Sequence, residues 1–182
     1  SMLERGLFPD LVKRGIPFYG FQSKAYWLDT GKPSDYLKLH HDILQGSAIS
    51  QFPGKHKTGD IWMEDGCKIH PSVKLAGPIV IGKNCIIERQ AEISGPTVMG
   101  SGCIVGRGSL VAGAVLWQNV RLGKNVTVKN SVIGNDTAVK DNTFITDGSI
   151  ISDNVIIGSG NKLEHGIKLW ASKTIEDNAI SF

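Results

Sequence analysis

Three cysteines, Cys67, Cys85 and Cys103, are separated by eighteen residues each. If they stack in one column, the sharp reading is a metal site or a disulfide, since Cα atoms about 4.8 Å apart fall within the disulfide range. A zinc site needs more than a straight column, however, and no histidine shares this one. The column is therefore expected to be three buried thiols filling small interior space. A second candidate is Asp29, two residues ahead of Gly31 in Asp29-Thr30-Gly31-Lys32-Pro33. Taken alone, a carboxylate there caps a turn. The histidines are sparse. His70 precedes Pro71 and reads as a turn residue, and His165 falls near the end of the chain.

What would position these residues is a repeat. In steps of six from Met63 come Ile69, Leu75, Ile81, Ile87, Ile93, Met99, Val105, Val111 and Trp117, all large and apolar. Four residues after each stop the sequence is small or apolar: Cys67, Val73, Ile79, Cys85, Ala91, Thr97, Cys103, Ser109 and Val115. A period of six is neither helical nor that of a simple alternating strand. It is the hexapeptide repeat of a β-helix. Three six-residue sides make an eighteen-residue coil, so residues eighteen apart stack one above another. The period falters in one region: Val111 to Leu122 is eleven and Val128 to Ile133 is five. Keeping six would turn Arg121 inward, which is costly for an unpaired charge, so a register shift with one shortened corner is expected near Trp117 to Leu122. It resumes at Ile133, Val139, Ile145, Ile151, Ile157 and Leu163. The stack should hold six to seven coils, roughly 30 Å long. Gly166 to Trp170 and Ile175 to Phe182 read as an irregular apolar cap over the last coil.

Composition bounds the rest. The 182 residues carry 20 Lys+Arg against 17 Asp+Glu, a net charge of +3. The basic residues are scattered, so there is no case for nucleic acid. No apolar run approaches the ~20 residues of a membrane span, and the first residues lack a signal-peptide apolar core. The protein is expected to be cytoplasmic. Ser1-Met2 reads as a cloning remnant ahead of a start inside a longer protein.

Before the repeat, Leu3 to Lys13 reads as a short helix ended by Gly15. Ile16 to Phe21 and Ala25 to Asp29 read as strands, and Pro33 opens a helix to about Leu44. The run Tyr26-Trp27-Leu28-Asp29-Thr30-Gly31-Lys32-Pro33-Ser34-Asp35-Tyr36-Leu37, followed by a hexapeptide domain, resembles the sugar-phosphate nucleotidyltransferases. It is most similar to the mannose-1-phosphate guanylyltransferases. The resemblance implies a left-handed β-helix, although parallel crossovers are otherwise right-handed. It also implies that Asp29 is catalytic through binding Mg²⁺, with Trp27 and Gly31 shaping the substrate-binding loop. A hard oxygen ligand suits Mg²⁺, which keeps waters and phosphate oxygens beside one or two carboxylates.

The sequence departs from that family at three places. Lys32 stands where the family often has Thr, which removes an N-cap. Ala171 replaces a common Pro. Most importantly, no Gly-x-Gly-x-Arg-Leu-x-Pro loop is present to cradle nucleotide phosphates; Gly100-Ser101-Gly102 and Gly106-Arg107-Gly108 are repeat corners.

The expected organisation is a catalytic-domain remnant at 1–47, a linker at 48–62 and a mainly β, left-handed parallel β-helix at 63–182. The parent would join a nucleoside triphosphate to a sugar 1-phosphate, GTP and mannose on resemblance alone. The chain itself would be inactive, with the β-helix forming a homo-oligomer. Two alternatives are a hexapeptide acyltransferase, which would need a catalytic histidine beside a protruding loop, and a pure assembly module. Carbonic anhydrases of this fold need three zinc-binding histidines per site, which two repeat histidines do not supply.

Overall fold

Each six-residue unit lays down a strand of two or three residues and then turns, and three such sides close a coil. This computed structural model describes residues 2–48, 51–57 and 59–181, the side chains of 56 and 57 excepted. The coils form three parallel sheets. The first stacks seven strands from Ile61–Met63 to Lys168–Leu169, the second seven from Lys68–Ile69 to Thr174–Ile175, and the third six from Lys74–Ala76 to Lys162–Leu163. Six coils are complete and a seventh has two sides. Strand β1 (Lys55–Lys57) pairs antiparallel with β2 (Ile61–Met63) and closes the first sheet at its starting edge. The hand of the helix is left.

The inward column is what drives closure. Ile79, Ile81, Val105, Val111, Ile133, Ile145, Ile157 and Leu163 have no exposed surface. Each such side chain contributes about 1.5–3 kcal/mol when fully buried, and stacking supplies the cover that one coil lacks. The small inward positions mix apolar residues and thiols with polar ones. Thr97, Ser109, Ser131, Thr137, Thr143, Ser149 and Asn161 are all fully buried. Among the described residues no buried side-chain N or O lacks a hydrogen-bond partner.

Corners require a left-handed backbone. Asn84, Asn119, Asn125, Asp136, Asn142, Asn154 and Asn178 all have φ between 53° and 58°, a region that Asn and Asp tolerate better than other L-residues. Glycine takes the same place in other coils. At Gly66 a Cβ would come within 2.1 Å of Asn84 Oδ1, so both geometry and space demand glycine there. The corner amides donate to side chains of the next coil: Lys124 N–H to Asp141 Oδ1 at 2.8 Å, Asn135 N–H to Asp153 Oδ1 at 2.7 Å and Ser159 N–H to Asp177 Oδ1 at 2.7 Å.

The register shift is real but sits elsewhere and occurs twice. Strand partners are eighteen apart at Leu110↔Glu92, seventeen at Val115↔Val98 and Leu110↔Thr127, and eighteen again at Val132↔Ile150. One residue is therefore missing between Val111 and Leu116 and one between Val128 and Ile133, at the same corner of two successive coils. Leu116 takes the inward place and is 1% exposed, whereas Trp117, expected inward, points out at 39%. Counting by apolar size favoured Trp117 over its neighbour. Arg121 does stay outside.

The end of the chain also differs from expectation. Among the described residues coiling continues through Lys168–Leu169 and Thr174–Ile175 where an irregular cap was expected. Ser181 bridges Lys162, and Ile180 accepts the Lys162 N–H at 2.8 Å. Asn161 holds this last turn: its Nδ2 donates to Gly158 O and Glu176 O, and its Oδ1 accepts the Ile180 N–H at 2.7 Å. Phe182 lies outside the described residues.

The amino-terminal segment is different in kind. A π-helical turn at Leu3–Leu7 leads into α1 (Phe8–Lys13), and neither buries a residue. Arg14 and Gly15 (φ +61°) end the helix. The strands expected at Ile16 to Phe21 and Ala25 to Asp29 are not formed: residues 16–30 have no regular structure. Aromatic and β-branched residues favour a strand only where an edge is available to pair with. Helix α2 (Pro33–Leu44) is the element that docks.

Candidate functional site

Helix α2 begins at Pro33 with no side-chain cap, as the lysine at position 32 implies; the Lys32 carbonyl accepts from Asp35 and Tyr36 instead. Its Leu37 and Tyr36 pack on Val98, Val115, Val132 and Ile150. These four are the outward residues of successive strands of the first sheet, an apolar stripe that the helix covers. The Tyr36 ring lies 6.1 Å from Trp117, and His41 Nε2 lies 2.9 Å from the Gly113 carbonyl at the shortened corner. Burial pushes the Tyr36 phenol pKa up.

This docking fixes where the motif stands. Asp29 Oδ1 accepts the Gly31 N–H at 3.0 Å, so the carboxylate does cap its turn. Beside it a cleft of about 330 Å³ opens at the root of α2, lined by Thr30, Gly31, Lys32, Pro33, Tyr36 and Trp117. Trp27 is 81% exposed and does not line it. Tyr26 Oη donates to Asp42 Oδ2 at 2.8 Å, and Lys38 pairs with the same oxygen. These two donors, Lys38 first, hold the Asp42 carboxyl below its usual range. The structure thus brings Asp29 and Gly31 together and leaves Trp27 in solvent. Among the described residues no group of three His, Cys, Asp or Glu could hold a metal ion. Asp29 offers one free, hard carboxylate oxygen, which fits a single place in a Mg²⁺ shell and no more.

The cysteines are free and behave as interior filling. Cys67 donates to Gly82 O at 3.1 Å, Cys85 to Gly100 O at 3.2 Å and Cys103 to Trp117 O at 2.9 Å. Further down the same column Thr137 donates to Ser152 O at 2.9 Å. The thiol and the hydroxyl therefore do one job, tying a small inward residue to the next coil. Cys85 and Cys103 are fully buried, but Cys67, in the first coil, is only partly so. Burial pushes the Cys67 thiol up; a hydrogen bond with Cys103 and then burial push Cys85 up further. His70 and His165 lie in the first and last full coils, and His165 occupies a corner with φ +58° where a cap was expected.

Residues 58–163 match the model of the EIF2B subunit epsilon LbH domain, LbH denoting a left-handed β-helix. The chain belongs to this family. As an EIF2B-epsilon-type LbH domain it has curated relatives among sugar-phosphate nucleotidyltransferases. It is 33% identical over 81 residues to the mannose-1-phosphate guanylyltransferase of Mycobacterium tuberculosis strain H37Rv, across 44% of this chain and 22% of that protein. It is 29% identical over 96 residues to the UTP–glucose-1-phosphate uridylyltransferase of Synechocystis sp. PCC 6803, across 42% of this chain and 25% of that protein. The chain thus spans about a quarter or less of the length of these relatives. Among solved structures, the acetyltransferase domain of PglB from Neisseria gonorrhoeae FA1090 superposes with a TM-score of 0.50 at 16% identity, covering 66% of this chain and 56% of that one. That likeness concerns the fold alone. No helix among the described residues is long and apolar enough to cross a membrane.

Proposed function

We propose that the LbH domain and its docked amino-terminal segment are the carboxy-terminal part of a cytoplasmic sugar-1-phosphate nucleotidyltransferase, one that makes GDP-mannose from GTP and mannose 1-phosphate. The observation that carries this reading is the placement of the Trp27-x-Asp29-x-Gly31 turn. It sits in solvent immediately ahead of a helix docked on the β-helix, so its carboxylate stands open beside that anchor for other groups to complete. The relationship to two nucleotidyltransferases supports the reaction class.

The reaction would be in-line attack by a sugar-phosphate oxygen on the α-phosphorus of the nucleotide, with pyrophosphate leaving. Asp29 would give one oxygen to Mg²⁺, which when bound supplies positive charge against the phosphates. Gly31 holds Asp29 through its amide, and Trp27 shapes the loop from outside. The β-helix supports the catalytic part and assembles copies into a homo-oligomer through its flat faces.

The test is pyrophosphate release from GTP and mannose 1-phosphate with Mg²⁺. This chain alone is expected to be inert, while a longer protein carrying a Gly-rich Arg-Leu-x-Pro loop upstream turns over and loses that turnover on Asp29→Asn. Turnover by this chain alone would overturn the reading, and acetyl-CoA turnover by it would favour a hexapeptide acyltransferase instead.

A further inference from the structure

A broad concavity lies away from α2, on the second sheet and the corner leading to the third. It measures about 540 Å³ and is walled by Lys68, His70, Glu88, Arg89, Arg107 and Lys124, with Ile86 as an apolar floor that is 37% exposed. Strand register builds it. Ile87 pairs with Val105 and Val105 with Leu122, so the residues two further on, Arg89, Arg107 and Lys124, stack in successive coils. Parallel strands are about 4.8 Å apart, and three cations at that spacing repel one another.

Elsewhere the solenoid offsets such charges from other coils. Lys74 pairs with Glu92 and Lys83 with Glu64 one coil away, and Lys140 reaches Asp177 two coils away. Among the described residues no ion pair is made by Lys68, Arg89, Arg107 or Lys124. Of the lining residues Glu88 is the one carboxylate, and its Oε2 is engaged by the Arg107 backbone N–H at 3.0 Å; Asp141, one coil below, accepts the Lys124 backbone N–H at 2.8 Å. Four cations against one carboxylate amount to +3, the net charge of the entire chain. His70 adds a donor. Its Nδ1 accepts the Ser72 N–H at 3.2 Å, and its Nε2 is the ring nitrogen left for a ligand.

We infer that this cleft binds a small molecule carrying a phosphate or pyrophosphate group together with an apolar or planar part, a nucleoside diphosphate being the type. Arginine forks take phosphate oxygens in pairs, and Ile86 offers a surface for the rest of the ligand. The extent of the basic column limits the ligand to a small one. Below Lys124 the same corner reads Asp141, Ser159 and Asp177, so an extended polyanion laid along the face would meet carboxylates. The inference stands apart from the nucleotidyltransferase reading, because no residue of the Asp29 loop takes part.

Calorimetric titration of this chain with inorganic pyrophosphate and with GDP, at low and at high salt, tests it. Both should bind, GDP more tightly. A charged hydrogen bond lost with each arginine corresponds to about tenfold or more in affinity, so R89A/R107A should weaken GDP by roughly a hundredfold. Arg107→Lys, which keeps the charge and the fold but loses the fork, should lie between. Lys129→Ala, an exposed cation of the third sheet, should change nothing. Absence of binding to both probes overturns the proposal. So does equal loss in Lys129→Ala, which would signify diffuse attraction, or binding of polyglutamate in preference to either probe, which would point to an acidic protein partner.

Discussion

The solenoid and the segment before it share one chain but obey different rules. In the solenoid, every coil covers its neighbour, and the large inward residues from Ile79 to Leu163 are buried almost without exception. In residues 2–32 no residue is buried, and Tyr19 is 88% exposed, Phe21 95% and Trp27 81%. Amides between 17 and 30 have a single hydrogen bond among the described residues, from Ala25 to Ser23 Oγ. Between the two lies α2, which belongs to the segment by sequence and to the solenoid by packing. The lesson is that a repeat supplies its own partners, whereas the segment's apolar residues are suited to a partner surface that the solenoid does not offer beyond the stripe under α2.

The sharpest way to break that contrast is to cut one residue from each region. Ile133→Ala, in the centre of the inward column, should cost about 2–5 kcal/mol in urea unfolding. Phe21→Ala should fall within about 0.5 kcal/mol; a comparable loss at Phe21 would mean that the segment is packed after all. Leu37→Ala probes the boundary. It should free α2 from the first sheet and speed limited proteolysis within Pro33–Leu44, while the melting of the coils moves by much less than for Ile133→Ala. An equal shift would make both regions one cooperative unit.

The cysteine column gives a third, smaller effect. A thiol whose pKa is higher folded than unfolded holds its proton more tightly in the folded state. Because burial raises Cys67, its contribution is full below the free-thiol pKa of about 8.5 and declines as pH rises above it. Denaturation midpoints measured from pH 7 upward should therefore fall on the alkaline side. A Cys67→Ser variant should lose part of that slope. Native thiol labelling should reach Cys67 first and leave Cys85 and Cys103 until unfolding; prompt labelling of all three contradicts the packing. Least of all, Lys74→Ala removes a 2.5 Å pair with Glu92 that is open to water, and stability should move by no more than about 0.5 kcal/mol.

Most of the solenoid was legible in the sequence because a period of six repeats the same physical demand in each coil. It placed Cys67, Cys85 and Cys103 in one column and made the Gly-x-Gly runs corners. It failed where the demand is local. Leu116 and Trp117 are both large, and size alone could not say which faced inward; the missing residue at Gly113 and the second at Asn130 decided it. The carboxy-terminal coil was hidden because Asn161, a polar residue, fills an inward place that it satisfies with three hydrogen bonds. Strands at 16–21 and 25–29 were read from residue type, which does not report whether an edge is there to pair with. Asp29 and Gly31 stand together as their spacing suggested. The basic cleft went unseen because Arg89, Arg107 and Lys124 look scattered along the chain; only the coil step of eighteen and then seventeen brings them into one stack.

Hydrogen–deuterium exchange resolved by peptide tests the two-region account most directly. Amides from Ile79 through Leu163 should exchange slowly and together, those of Pro33–Leu44 at an intermediate rate, and those from 17 to 30 at nearly the rate of free peptide. Protection of 17–30 equal to that of the coils would contradict it.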